Sequence, residues 1–127
     1  MKDKNEFIAA LVSRFPAVKE EILDEDYSFS INLQMGCLKR FVQGAIDNGK
    51  EETVQDVFSF VESMIGTVTQ EVESAIHIGF LGHLDFSNRP AYKSLLKGAL
   101  KSGLDAMERY HQEGSKGKAK DFLDSIK

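Results

Sequence analysis

Residues 53–84, TVQDVFSFVESMIGTVTQEVESAIHIGFLGHL, decide the fold. Val54, Val57, Phe58, Val61, Met64 and Ile65 recur at steps of three and four, and so do Val72, Ala75, Ile76, Gly79, Phe80 and Leu84. Each set falls on one stripe of an α-helix, and Gly66-Thr67 hinges the two. Two apolar stripes joined by so short a turn must face each other or a shared neighbour. Working outward in both directions, the same period continues and no strand-like alternation of useful length interrupts it.

Upstream, Asn5 is a candidate N-cap for a helix carrying Phe7, Ile8, Leu11, Val12 and Phe15. Pro16 ends that helix, since it disfavours helical geometry in the residue before it, and it suits the first turn of a shorter second helix with Val18, Ile22 and Leu23. Ser28 or Ser30 can cap a third helix through Ile31, Met35, Leu38, Phe41, Val42, Ala45 and Ile46, which Asn48-Gly49 ends. Glu51, Glu52 and Asp56 suit the positive end of the fourth helix. Thr67 with Gln70 has capping-box spacing for the fifth. Downstream, 85–90 reads as a loop, and a sixth helix runs from Tyr92 through Leu95, Leu96, Leu100, Leu104 and Met107 toward Tyr110. Gly98 and Gly103 inside it mark close packing or a break near Ser102-Gly103. The expectation is an all-α fold of about six helices, a compact bundle or a short stack of antiparallel helix pairs. One helical domain over 1–113 would be followed at 114–127 by a flexible connector and a short C-terminal helix or tail.

The chain has 127 residues, 42% hydrophobic and 28% charged, which is neither disordered nor membrane-like. No apolar run approaches the ~20 residues a bilayer needs, and the charged start lacks a signal-peptide pattern. A cytoplasmic protein is expected. The lone Cys37 matches no metal-site spacing and reads as a small buried hydrophobe. Charge is unevenly placed: residues 1–75 carry seven Lys/Arg against fourteen Asp/Glu, and residues 76–127 nine against six. Glu20, Glu21, Asp24, Glu25 and Asp26 put five acids into seven residues at a helix C-terminus, where they oppose the macrodipole. A local conflict of that kind points to a use elsewhere, such as meeting a basic partner.

No catalytic or metal constellation is readable. Glu73 and His77 are four apart and could offer two ligands, but no others stand at metal-site spacing, and the pair reads as a weak helix-surface contact. Glu62, Glu71 and Glu73 belong on polar helix faces rather than to an acid pair. His111 sits among charged residues and reads as solvated. Lys93, Lys97 and Lys101 form a four-step stripe that reads as a solvated face, and a pI near 5.4 argues against nucleic acid. The expectation is no enzyme, no cofactor and no metal.

Phe60-Val61-Glu62 and Val72-Glu73-Ser74-Ala75-Ile76-His77-Ile78-Gly79-Phe80-Leu81-Gly82-His83-Leu84 resemble a group of small all-helical bacterial proteins placed as immunity proteins beside polymorphic toxins. The resemblance runs from about residue 5 to residue 110. Phe80-Leu81-Gly82-His83-Leu84 is the counterpart of an aromatic-Leu/acid-small-Leu run in that group, with Gly82 where the group commonly has Glu. The resemblance implies a binding protein that neutralises a cognate toxin without enzymatic chemistry. Candidate contact residues are then Glu20, Glu21, Asp24, Glu25 and Asp26 in one patch and Glu51, Glu52 and Asp56 in another. The alternative is a helical adaptor or regulatory protein for another protein partner, and an enzyme with a site assembled from distant residues comes third.

Overall fold

A computed structural model describes residues 1–109. Its centre is α3 (Ile31–Asp47), a 17-residue helix that buries Ile31, Met35, Leu38, Val42, Ala45 and Ile46 along one stripe. Ser30 starts it, its Oγ accepting the Leu33 N–H at 3.3 Å. The hinged pair foreseen at 53–84 packs on this shared neighbour. Helix α4 (Glu51–Met64) brings Val54, Val57, Phe58 and Val61. Helix α5 (Gln70–Ala75) brings Val72 and Ala75 and runs on as a π-turn at Ile76–Phe80 and a 3-10 turn at Leu81–His83. Phe58 and Phe80 meet edge to face at 6.3 Å between centroids, so the two arms also touch each other. A Cβ on Gly79 would stand 3.0 Å from Met35 Cβ and 3.1 Å from the Asn32 carbonyl oxygen, so any larger residue would press α3 back by a few tenths of an ångström.

Around this centre, α1 (Lys4–Arg14) buries Phe7, Ile8 and Leu11. Its cap is Asp3 rather than Asn5: Asp3 Oδ1 accepts the Glu6 N–H at 2.9 Å, and the Glu6 carboxylate reaches back to the Asp3 N–H at 3.5 Å. That reciprocal box, with acid residues in both roles, starts the helix ahead of the expected cap. Pro16–Val18 forms a 3-10 turn leading into α2 (Lys19–Ile22), which lasts about one turn. The Thr67–Gln70 box does not form. Thr67 Oγ donates backward to the Met64 carbonyl at 2.7 Å, and Thr69 is the N-cap of α5. Thr67 is instead held by the N-terminal segment: the Lys2 N–H donates to its carbonyl at 2.8 Å, and the Thr69 N–H donates to the Lys2 carbonyl at 2.9 Å.

The sixth helix differs most from expectation. Pro90–Leu95 is a 3-10 turn, Leu96 is extended at ψ 132°, and only from 98 does a helix, α6 (98–109), run through the rest of the described residues. The break therefore falls at Leu96-Lys97 and not at Ser102-Gly103. Its cause is Glu62 on α4. One carboxylate oxygen accepts the Ala99 N–H and the other the Leu100 N–H, each at 2.9 Å. A side chain from a different helix thus satisfies two orphan donors at the α6 N-terminus and places negative charge at its positive end. Gly98 makes room, with φ +57° and the Glu62 carboxylate where a Cβ would sit. With the helix broken, Lys93, Lys97 and Lys101 lie on a 3-10 turn, an extended link and α6, so they do not form one helical stripe. Lys93 pairs with Glu108 at 2.6 Å.

The expected boundary at 113/114, the segment 114–127 and His111 lie outside the described residues. No helix among the described residues is long and apolar enough to cross a membrane.

Glu62→Ala should cost about 1–3 kcal/mol in urea unfolding, the range for charge-assisted hydrogen bonds. Protection of the Ala99 and Leu100 amides from hydrogen exchange should fall with it, and Glu62→Gln should retain part of both. Gly98→Ala should destabilise by more than about 1 kcal/mol, because it adds left-handed strain to a clash with the cap.

Candidate functional site

The first acidic group is held by a short helix followed by a tight turn. Because α2 ends after about one turn, Leu23 lies a step of ~100° beyond Ile22 and escapes the core. Asp24 then organises the descent to α3. Its Oδ1 accepts the Asp26 N–H at 2.8 Å, and its carbonyl accepts the Tyr27 and Ser28 N–H groups at 2.9 and 2.8 Å. Self-bonding of this kind is what makes Asp a turn former. Glu20, Glu25 and Asp26 stand exposed on either side of it, and none of them forms an ion pair among the described residues.

Glu21 has a different role. Its carboxylate hydrogen-bonds the Arg40 guanidinium across to α3. Arg40 also lies 5.6 Å from the Tyr27 ring centroid and donates to Cys37 Sγ at 3.3 Å. The Arg40 bond pulls the Glu21 pKa below the usual carboxylate value, and the same bond raises that of Arg40. The linkage sign follows. A depressed carboxylate contributes stability above its unfolded pKa, and that contribution is lost as pH falls through the folded pKa. Both partners are half exposed, so screening keeps the pair within about 1 kcal/mol. Glu21 therefore belongs to the support of the patch more than to its free surface. Glu20, Glu21, Asp24, Tyr27 and Ala17 together line a shallow acidic depression of about 390 Å³.

Cys37, beneath this pair, is buried as expected. Burial, reinforced by Glu21 as a neighbouring hydrogen-bond acceptor and negative charge, pushes its thiol up to about 11. Such a thiol is a packing group and a poor nucleophile at neutral pH.

The second acidic group sits on the first two turns of α4. Glu51 and Glu52 are exposed, and Asp56, half-buried, approaches Arg14 at the end of α1 to 4.0 Å. The structure gives the two groups separate supports and brings no residue of one into contact with the other through the bonds described.

The remaining candidates hold places in the packing. Glu62 caps α6 rather than standing on an idle polar face. His77 lies four residues after Glu73, and its Nε2 is buried without a hydrogen-bond partner among the described residues. A Cβ on Gly103 would sit 2.9 Å from that nitrogen, so Gly103 is where α6 passes close over the imidazole. No group of three His, Cys, Asp or Glu among the described residues could hold a metal ion. Loop 85–89 is tied to α3. Gln43 bonds the Asp85 backbone through both its amide atoms at 2.8 Å, and Arg89 Nε donates to the Ile46 carbonyl at 3.0 Å. Within the loop, the Ser87 N–H bonded to Asp85 lowers the pKa of that carboxylate.

Sequence reading missed three exposed apolar side chains beside the first acidic group: Leu23, Phe29 and Leu33. One available signal was that Leu33 lies about 200° round α3 from Ile31, opposite the buried stripe. Leu23 and Phe29 gave none, because Leu23 reads with Ile22 as one apolar edge and Phe29 lies in a connector where no helical period applies.

A family model described as a domain of unknown function (DUF7674) matches residues 8–115. No curated protein and no solved structure matches this chain significantly.

Native Cys37 should react with a disulfide probe at pH 8 about a hundredfold more slowly than the urea-unfolded chain, from thiolate fraction alone. Glu21→Gln removes the charge that raises the thiol pKa and leaves Arg40 beside the sulfur, so labelling should accelerate and its pH profile shift downward. Labelling rates measured against pH check both outcomes.

Proposed function

The chain belongs to the DUF7674 family, and from that premise we propose that it is a non-enzymatic binding protein that neutralises a cognate bacterial protein toxin by contact. The observation that carries this reading is the surface from α2 to the start of α3. There the exposed acids Glu20, Asp24, Glu25 and Asp26 stand among the exposed apolar side chains Leu23, Phe29 and Leu33. A merely solvated face has no need of large apolar residues, and a merely apolar patch has no need of four carboxylates. Together they fit a protein partner that is basic at its rim and apolar at its centre. Carboxylates without counter-ions speed the encounter with a positive partner and orient it. Glu51, Glu52 and Asp56 supply a second acidic face. The resemblance of 5–110 to immunity proteins supports the choice of a toxin as that partner. A helical adaptor for another protein would use the same surface, and the identity of the protein captured separates the two.

The test is co-expression with the toxin domain encoded by the neighbouring upstream gene, followed by pull-down and stopped-flow association. Rescue with a stable one-to-one complex is the expected result. Reversing Glu20, Glu25 and Asp26 to Lys, which leaves the Asp24 turn and the Glu21–Arg40 pair intact, should lower the association rate about tenfold and flatten its salt dependence. Glu51→Gln with Glu52→Gln should have a smaller effect in the same direction. Failure to rescue from an active toxin would reject the toxin reading; unchanged association in both variants would reject the patches.

A further inference from the structure

Beside the acidic turn, and distinct from the depression that Glu20, Glu21 and Asp24 line, lies a groove with the features of an anchor site. It opens between α1 and the start of α3, has a volume of about 280 Å³, and is lined by apolar Ile8, Ala9, Val12 and Leu23 with polar Asn5, Ser28 and Gln34. Leu23 is 46% exposed in its wall, while Phe29 and Leu33, next in sequence to Ser28 and Gln34, are 69% and 42% exposed. Gln34 is the one polar residue among those buried, at 4% exposure. Its Nε2 donates to the Ile22 carbonyl at 3.1 Å, which fixes the amide's orientation. That bond uses the donor side and leaves the carbonyl oxygen as an acceptor where Gln34 lines the groove. Apolar walls with a few polar groups, one of them held in a fixed orientation, are the usual make-up of a pocket that takes a single side chain with defined geometry.

Resting on the protein-binding reading above, we infer that this groove docks a basic segment of the partner protein. That segment inserts one large apolar side chain between Val12 and Leu23, presents an N–H donor to Gln34, and lays flanking Lys or Arg residues against the acidic turn. Charge selects this occupant. Glu20, Asp24, Glu25 and Asp26 edge the chain that forms one wall of the groove, and none is paired with a cation among the described residues. An acidic or purely apolar segment would leave them uncompensated at a closed interface. The anchor governs dissociation and the rim governs encounter, so the two sets of substitutions have separable kinetic effects.

The experiment uses the full chain and its Leu23→Ser and Leu33→Ser variants, each checked for unchanged helicity and melting temperature, because both positions are exposed. With the upstream toxin domain as probe, each variant should raise Kd about tenfold through faster dissociation, with the association rate unchanged. A complex formed equally well by both variants overturns the inference and leaves the toxin reading standing. If the toxin domain forms no complex, that reading fails, and the groove is tested by a synthetic helix of about twelve residues built from Leu and Lys against its Leu and Glu counterpart. Amide shifts confined to residues near 8–12 and 23–34 with the Lys peptide, weakened about tenfold by Leu23→Ser, support the inference. Scattered shifts, equal binding of the Glu peptide, or a dimer of the free protein that Leu23→Ser dissociates would each overturn it.

Discussion

The rest of the structure depends on how closely the π-turn at Ile76–Phe80 lies against α3. At Gly79 the backbone of one element passes the Asn32 carbonyl and Met35 side chain of the other so closely that a methyl group would press on both. Dispersion contacts fall off steeply with separation, so this proximity lets Ile76, Phe80 and Leu81 reach into the same core that α4 enters from its own side. Exposure alternates along the π-turn as it would on any helical turn, with residues two apart on opposite faces. Ile76 and Phe80 are fully buried, whereas Ile78 between them points to solvent. An apolar residue is tolerated outside there because the turn has only one inward edge to offer.

The parts of the fold legible in the sequence are those in which a helix is long enough for its period to repeat. Helices α3 and α4 show four or more apolar repeats each, and the reading placed their buried faces correctly. Where an end is set by a side chain, the signal is local only if that side chain is local. Ser30 caps its own helix and was readable as a cap; Asp3 and Glu6 form a box that was overlooked in favour of Asn5. Thr67 has the right spacing for a box, but the contact with Lys2 directs the backbone elsewhere. Glu62 lies 37 positions before the amide it caps, and no periodicity within 90–109 reveals that partner. A helix from Tyr92 and its basic stripe are therefore reasonable on local grounds and wrong for a non-local reason, while the close packing expected at Gly98 and Gly103 is present.

The candidate site divides along the same line. Acid clustering at 20–26 is visible in the sequence, but the expected conflict with a helix C-terminus is slight, because α2 is one turn long with Glu20 and Glu21 in its first turn. What the sequence does not reveal is the division of labour among them. Glu21 is committed to Arg40, Asp24 to its own turn, and Glu20, Glu25 and Asp26 are left to face outward. The groove is still less legible, because its walls come from α1, the end of α2 and the start of α3. Its one buried polar residue, Gln34, lies within an apolar stripe where periodicity alone would regard it as noise.

The cap that Glu62 provides also constrains the order in which the chain can fold. An isolated helix of a dozen residues is marginal in water, and α6 begins with a left-handed glycine that opposes nucleation. Its first two donors are satisfied only after α4 has formed and has been positioned by α3. The last twelve described residues must then wait for the centre, making α6 a late and reversible addition to a body already assembled. In native-state exchange such an element opens first, by sub-global unfolding that leaves the α3–α4–α5 core intact.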